Sequence, residues 1–200
     1  MHSLVLRRGL PRELEKVVRL VQEVAAWLRT SKDTDQWAGP WPDRIRHRER
    51  ILDDLLKGRT WLVWDGETAA ATITVDTEGP LDGNQQPVWP EHSRHEPALY
   101  IQRVIVSRKY SGCGLGAALL DWAGDLARRE YGARLIRIDL WTTNLALHAY
   151  YEGQGFARRA NRDLGQHADY PSQALFEREA DQPGTGYTAM FTELSLEQRL

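Results

Sequence analysis

"SGCGLGAALL", residues 111–120, sets a glycine at every second position and then turns into an apolar run at helical spacing. Glycine there gives up conformational entropy and packs nothing, so Gly112, Gly114 and Gly116 must serve the backbone. A helix N-terminus leaves its first N–H groups unpaired, and the helix dipole adds partial positive charge. Glycines in front of such a terminus let an anion's oxygens reach the main chain, which makes a phosphate cradle. The plainer alternative is a tight turn that holds no ligand.

The flanks place this loop. "ALYIQRVIVS" before it predicts a strand, fully apolar from Val104 to Val106. After it, Leu115, Ala118, Leu119, Trp122 and Leu126 share one face of a helix that Gly132 ends. "RLIRIDLW" then alternates, with Ile136, Ile138 and Leu140 opposite Arg137, Asp139 and Trp141. A helix over 144–153 follows, capped by Asn144 or a neighbouring threonine.

Upstream, "SLVLRR" at 3–8 reads as a short edge strand. Leu10, Leu14, Val17, Val18, Val21, Val24, Ala25 and Leu28 mark a helix of roughly 11–29 with Pro11 in its first turn. A second helix, about 43–57, carries Ile45, Leu52, Leu55 and Leu56 on one side and stops at Gly58. "TWLVWDGETAAATITVDT" reads as a hairpin turning at Asp65-Gly66. Residues 79–97, polar and rich in Gly and Pro, read as a long loop of the functional kind. In the tail, "GFARRA" is expected to be a strand, and "QALFER" and "TAMFTELSL" compete for the next.

Length and composition bound the rest. Two hundred residues suit one domain spanning 1–200, and 42% apolar with 27% charged content is ordinary for a globular chain. The 26 Lys and Arg against 28 Asp and Glu leave a formal charge of −2, which gives no argument for nucleic acid. "RIRHRER" at 44–50 reads as a solvated helix face. Cys113 is the only cysteine, so an internal disulfide is excluded and a reducing compartment is expected. No apolar run approaches the ~20 residues that cross a bilayer, so the expectation is a cytoplasmic protein with no membrane partner.

Two ligands suit the glycine loop. Gly112-x-Gly114-x-x-Ala117 satisfies a dinucleotide-binding fingerprint, but that motif follows its strand directly and sits in the first βα turn. Here "SRKYS" intervenes, and two helices and several strands come first. Taken with its flanks, "VIVSRKYSGCGLGAALLDWA", followed about 25 residues later by "NLALHAYYEGQGF", resembles the GNAT superfamily of acyl-CoA-dependent N-acyltransferases. The family's loop has Gln or Arg, two free positions, glycine, one free position, then glycine or alanine. Ser111, Gly114 and Gly116 occupy those places. Its later pattern is matched by Asn144, Tyr151, Glu152, Gly155 and Phe156. The close similarity covers about 98–157, and the preceding helix–helix–hairpin order also fits.

The resemblance implies an α/β fold of the α+β type: a mixed, mostly antiparallel central sheet with splayed middle strands and helices on both faces. The tail itself reads as an irregular extension after about 179. The resemblance also implies transfer of an acetyl group from acetyl-CoA, a cosubstrate, to an amine, with no metal. The main chain of Val104, Ile105 and Val106 would bind the pantetheine arm. The amides of Gly112, Cys113, Gly114, Leu115, Gly116 and Ala117 would take the pyrophosphate. Asn144 would bind the arm or simply cap its helix. Tyr151 would give the departing thiolate its proton, its alternative being a core tyrosine.

Two departures stand out. Ser111 replaces the usual Arg or Gln, for which Arg108 or Lys109 would have to substitute, and Leu147 replaces a small residue. A lysine-like amine is about one part in a thousand neutral at pH 7, a deficit worth up to about 4 kcal/mol of barrier. The glutamate that some members carry on the strand falls at Tyr100. Asp139, Glu96 and His148 remain as candidate bases, beside water relayed to bulk. Cys113 suggests a covalent route, but its place in the cradle favours direct attack.

Acceptor recognition would draw on Trp37, Trp41, Trp89, His92, His95, Glu91 and Glu96, as aromatic walls with carboxylates or as tryptophans covering core. The partner expected is a small-molecule or peptide amine, with room for a homodimer. A non-catalytic acyl-CoA sensor of the same fold is the alternative.

Overall fold

The computed structural model describes residues 3–40, 42–82, 86–161, 171–182, 184 and 190–194. They fall into two compact units. One is built from the described parts of 1–74, 103–119 and 186–200, the other from those of 75–102 and 120–185.

In the first unit, β1 (Leu4–Arg8) pairs antiparallel with β2 (Thr60–Asp65), and β2 pairs antiparallel with β3 (Thr68–Asp76). Strand β8 (Phe191–Glu193) adds in parallel on the other side of β1, so β1 is not the edge strand its sequence suggested. The hairpin closes with Asp65 opposite Thr68, which makes Gly66-Glu67 the turn, one residue later than expected. Gly66 has φ 57°, the left-handed value such a turn demands.

Helix α1 (Leu14–Ser31) begins after a 3-10 turn at Pro11–Glu13. Helix α2 (Arg44–Leu56) begins at Asp43, whose Oδ1 accepts from the Ile45 and Arg46 amides. The two helices bury Val17, Leu20, Val21, Ile51 and Leu55 against Leu62, Trp64 and Ile105. Ile45 and Leu56 instead face solvent, at 70% and 65% exposure, because only part of the apolar stripe of α2 is needed to close this core. Arg46 pairs with Asp43 and Arg48 with Glu15, as befits a solvated basic face.

The second unit centres on β5 (Leu135–Leu140). It lies between β4 (Ala98–Val106), parallel over Ala98–Ile101, and β7 (Ala174–Glu179), antiparallel along its whole length. β6 (Ala157–Asn161) pairs antiparallel outside β7. Both tail candidates are therefore strands, and β8 lies within the stretch expected to be irregular. Four of these pairings are antiparallel and two parallel, so the architecture is mixed and mostly antiparallel α/β. The loop expected over 79–97 contains a bridge between Leu81 and Pro87 and a short helix α3 (Glu91–Arg94).

Strand β4 is extended except at Arg103, where φ is 48°. A residue with a side chain pays roughly 1–2 kcal/mol for that conformation. The guanidinium of Arg103 is anchored on Asp54, which holds it there. Helix α4 (Leu115–Tyr131) carries Gly124, where an added Cβ would lie 2.6 Å from the Ala180 carbonyl oxygen. Gly124→Ala is expected to destabilise the protein by about 1–3 kcal/mol through that overlap, read as a lower denaturation midpoint. A gain of about 1 kcal/mol, the value from helix propensity alone, would contradict the close approach. Helix α5 (Leu145–Gly153) completes this unit. Among the described residues, no helix is long and apolar enough to cross a membrane.

Candidate active site

The glycine loop lies in the first unit. Its approach is tightly bonded: the Ser107 amide donates to Ala70 O at 2.9 Å, and a 3-10 turn over Arg108–Tyr110 brings the Ser111 amide to Arg108 O at 3.2 Å. The Tyr110 hydroxyl donates to Asp65 at 2.7 Å. From Gly112 the pattern changes. Among the described residues, no backbone carbonyl accepts from the amides of residues 112–117, and the first to do so is Gly114 O, from Ala118.

Gly112 and Gly114 both have φ 78°. A Cβ at Gly112 would meet no atom within 4 Å, and one at Gly114 would only reach the Met190 sulfur at 3.8 Å. Backbone conformation, rather than lack of room, therefore demands glycine at both positions. Among the described residues the result is a run of unengaged amides that starts on the exposed Gly112–Gly114 and passes into a 17-residue helix whose Leu115 and Ala117 are buried. That is the chemistry of an anion cradle.

The other expected residues of this unit fall as follows. Ile105 is buried in the core, with Val104 and Val106 half-buried beside it. Cys113 is an exposed free thiol. The two cations nominated to replace the missing Arg or Gln lie over aromatic rings, Arg108 at 3.9 Å from Trp27 and Lys109 at 5.2 Å from Tyr110. Trp37 packs against the helical core, and Trp41 lies outside the described residues.

In the second unit, Asn144 caps α5, its side-chain oxygen accepting from the Leu147 amide at 3.0 Å. Tyr151 is 3% exposed, its ring held edge-on by Phe156 and by Tyr150, with centroids 5.3 and 5.4 Å away. Among the described residues its hydroxyl makes no hydrogen bond. Burial pushes its pKa well above the ordinary 10, and Tyr150 and the Asp139 carboxylate add to the shift.

Of the candidate bases, His148 is buried and its Nε2 lies 2.9 Å from Trp141 O. A carbonyl only accepts, so that nitrogen carries the proton and is committed. Asp139 is half-buried. Glu96 is 70% exposed and 3.6 Å from Arg137. Tyr100 is buried, its hydroxyl accepting from Arg137 at 3.3 Å. His92 and His95 are exposed, whereas Trp89 is buried against Tyr100, as a core tryptophan and not an open wall.

Arg137 is the residue that sequence reasoning misjudged. Alternation put it on a polar strand face with Asp139 and Trp141. It is 1% exposed instead, with Nε on Glu177 at 2.7 Å, Nη1 on Ser93 O at 2.5 Å, and Trp89 stacked at 4.9 Å. Register places Tyr100, Arg137 and Glu177 side by side on neighbouring strands. No local signal marks partners 40 or more positions away.

A family model described as the acetyltransferase (GNAT) family matches residues 19–156. The chain belongs to the GNAT acetyltransferase family. An uncharacterized N-acetyltransferase of Bacillus subtilis, YesJ, is 29% identical over 167 residues, covering 84% of this chain and 85% of that protein. Among solved structures, a GNAT-family acetyltransferase of Listeria monocytogenes superposes with a TM-score of 0.66 at 22% identity, covering 90% of this chain and 98% of its own. The PaiA N-acetyltransferase of Thermoplasma acidophilum, in complex with coenzyme A, gives 0.63 at 16% identity, covering 88% and 99%. The fold of this GNAT member is thus the family's own. Among its described residues, no cluster of three or more His, Cys, Asp or Glu could hold a metal.

Proposed function

We propose that this GNAT member is a single N-acetyltransferase domain, acting in the cytoplasm, that moves an acetyl group from acetyl-CoA to a primary amine by direct attack. The observation that carries the reading is the run of amides from Gly112 to Ala117 that no described residue engages, with left-handed glycines at its mouth. A diphosphate is the anion such a run fits best, and coenzyme A contains one. The B. subtilis relative's name and the coenzyme A complex of the archaeal structure point the same way.

In this reading the six amides of residues 112–117 grip the diphosphate. The main chain of Val104–Val106 carries the pantetheine arm as an added strand. Asn144 orients α5, whose buried Tyr151 supplies the proton. The acyl donor supplies an activated carbonyl: the amine's C–N bond forms, the C–S bond breaks, sulfur takes the tyrosine proton, and the amine's surplus proton leaves through water, which returns a proton to the tyrosinate. Cys113 takes no covalent part.

With no protein base assigned, kcat/KM for the amine is expected to climb about tenfold per pH unit below the amine's own pKa, because only the neutral amine attacks. A plateau near pH 7 would instead demand a base, with Asp139 and Glu96 the groups to replace first. The reading itself is tested by coenzyme A affinity and by thiol release with a panel of amines. Tight binding without turnover on any amine would favour the acyl-CoA sensor, a role that the neutral Tyr100 in place of a glutamate would suit.

A further inference from the structure

We infer that Glu23, on α1, is a positioning residue that clamps the glycine loop for its anion. The inference rests on the reading above and concerns a residue outside both family motifs. Glu23 Oε1 accepts two hydrogen bonds, from Ser107 Oγ at 3.0 Å and from the Arg108 amide at 2.6 Å. Ser107 does not cap the 3-10 turn with its own side chain. A carboxylate from 85 positions earlier therefore satisfies the turn's first N–H.

One helical turn further along α1, Trp27 carries the Arg108 guanidinium at 3.9 Å. With Ala70 O on the Ser107 amide and Asp65 on the Tyr110 hydroxyl, the approach to the loop is pinned from three sides. The unengaged amides begin two residues later. An anion that must collect several such amides at once gains affinity when they are already aligned and loses it when they must be ordered on binding. Glu23 thus acts on the diphosphate through the backbone.

Two variants and two readouts test this. Glu23→Ala removes both bonds, whereas Glu23→Gln keeps an amide oxygen in place to accept them. Glu23→Ala is expected to weaken coenzyme A binding about tenfold in calorimetry and to speed amide exchange at Arg108, Tyr110 and Ser111 at least fivefold without ligand. KM for the amine should stay within twofold of wild type. Glu23→Gln should recover most of both losses. Ser107→Ala, which deletes one donor and leaves the carboxylate, should fall between wild type and Glu23→Ala, and carries the comparison if Glu23→Ala does not fold.

A purely structural role would lower the melting temperature and shift both substrates alike. Coenzyme A affinity within twofold of wild type in Glu23→Ala, with exchange unchanged, overturns the clamp. A wild-type protein that does not bind coenzyme A overturns the acetyltransferase reading instead, and the exchange comparison then still decides whether Glu23 orders the loop.

Discussion

Tyr151→Phe is expected to lower kcat by about 10²–10⁴-fold and to leave the affinity for acetyl-CoA within a factor of two. The phenylalanine keeps the edge-on contacts with Phe156 and Tyr150, since these use the ring and not the hydroxyl. The hydroxyl has no hydrogen-bond partner among the described residues, so its removal orphans no buried group. The loss should therefore fall on the chemical step, as a drop in kcat without a rise in the donor's dissociation constant.

The pH profile sharpens the test. Burial holds the folded pKa of Tyr151 above the unfolded value of 10. The phenol thus stays protonated at any pH where the enzyme works, and the rate should show no falling limb from this group below pH 10. Stability follows the same sign. Any share owed to the neutral buried phenol is complete below pH 10 and lost as pH rises toward the higher folded value. An unchanged kcat in Tyr151→Phe removes the residue from the mechanism. An equal loss of donor affinity makes it a binding group.

The second large effect concerns stability. Glu177→Leu strands the guanidinium of Arg137, which is 1% exposed, without the carboxylate 2.7 Å from its Nε. Breaking a buried pair from one side typically costs about 3–5 kcal/mol. Glu96 cannot substitute, because its side chain is 70% exposed and 3.6 Å away. Arg159→Ala removes a partner of the same glutamate that is itself 59% exposed, and should cost under about 1 kcal/mol. The double replacement Arg137→Met with Glu177→Leu should restore most of the loss, since no charge is then left buried. Urea denaturation of the four proteins measures this. A loss below 1 kcal/mol in Glu177→Leu would mean that water or another group reaches Arg137.

The contrast between these residues shows what the sequence carried. Gly112 and Gly114 were legible because a left-handed backbone at a helix mouth leaves a mark in the residues that form it. The helix faces ending at Gly58 and Gly132 were legible for the same local reason. Arg137 was not, since its burial depends on Glu177 and Ser93, brought together only by strand register. The hairpin turn slipped by one because an Asp-Gly pair marks a turn without fixing which of its residues still pairs: Asp65 stays in the ladder opposite Thr68 and Gly66 takes the left-handed position. Arg103 shows no mark in an apolar strand, since its unusual φ is held by Asp54 from another element. Of the site itself, the motif positions were readable. The support from Glu23 and Trp27 was not, since nothing in a helix surface announces the loop it will hold.

The central claim is that the main-chain amides of residues 112–117 grip a diphosphate. Amide chemical shifts recorded during titration with coenzyme A test it most directly, beside a parallel titration with pantetheine, which lacks the diphosphate. The account predicts that coenzyme A moves the amide signals of Gly112 through Ala117 most and that pantetheine leaves them in place. Largest shifts elsewhere, or the same shifts with pantetheine, would contradict it.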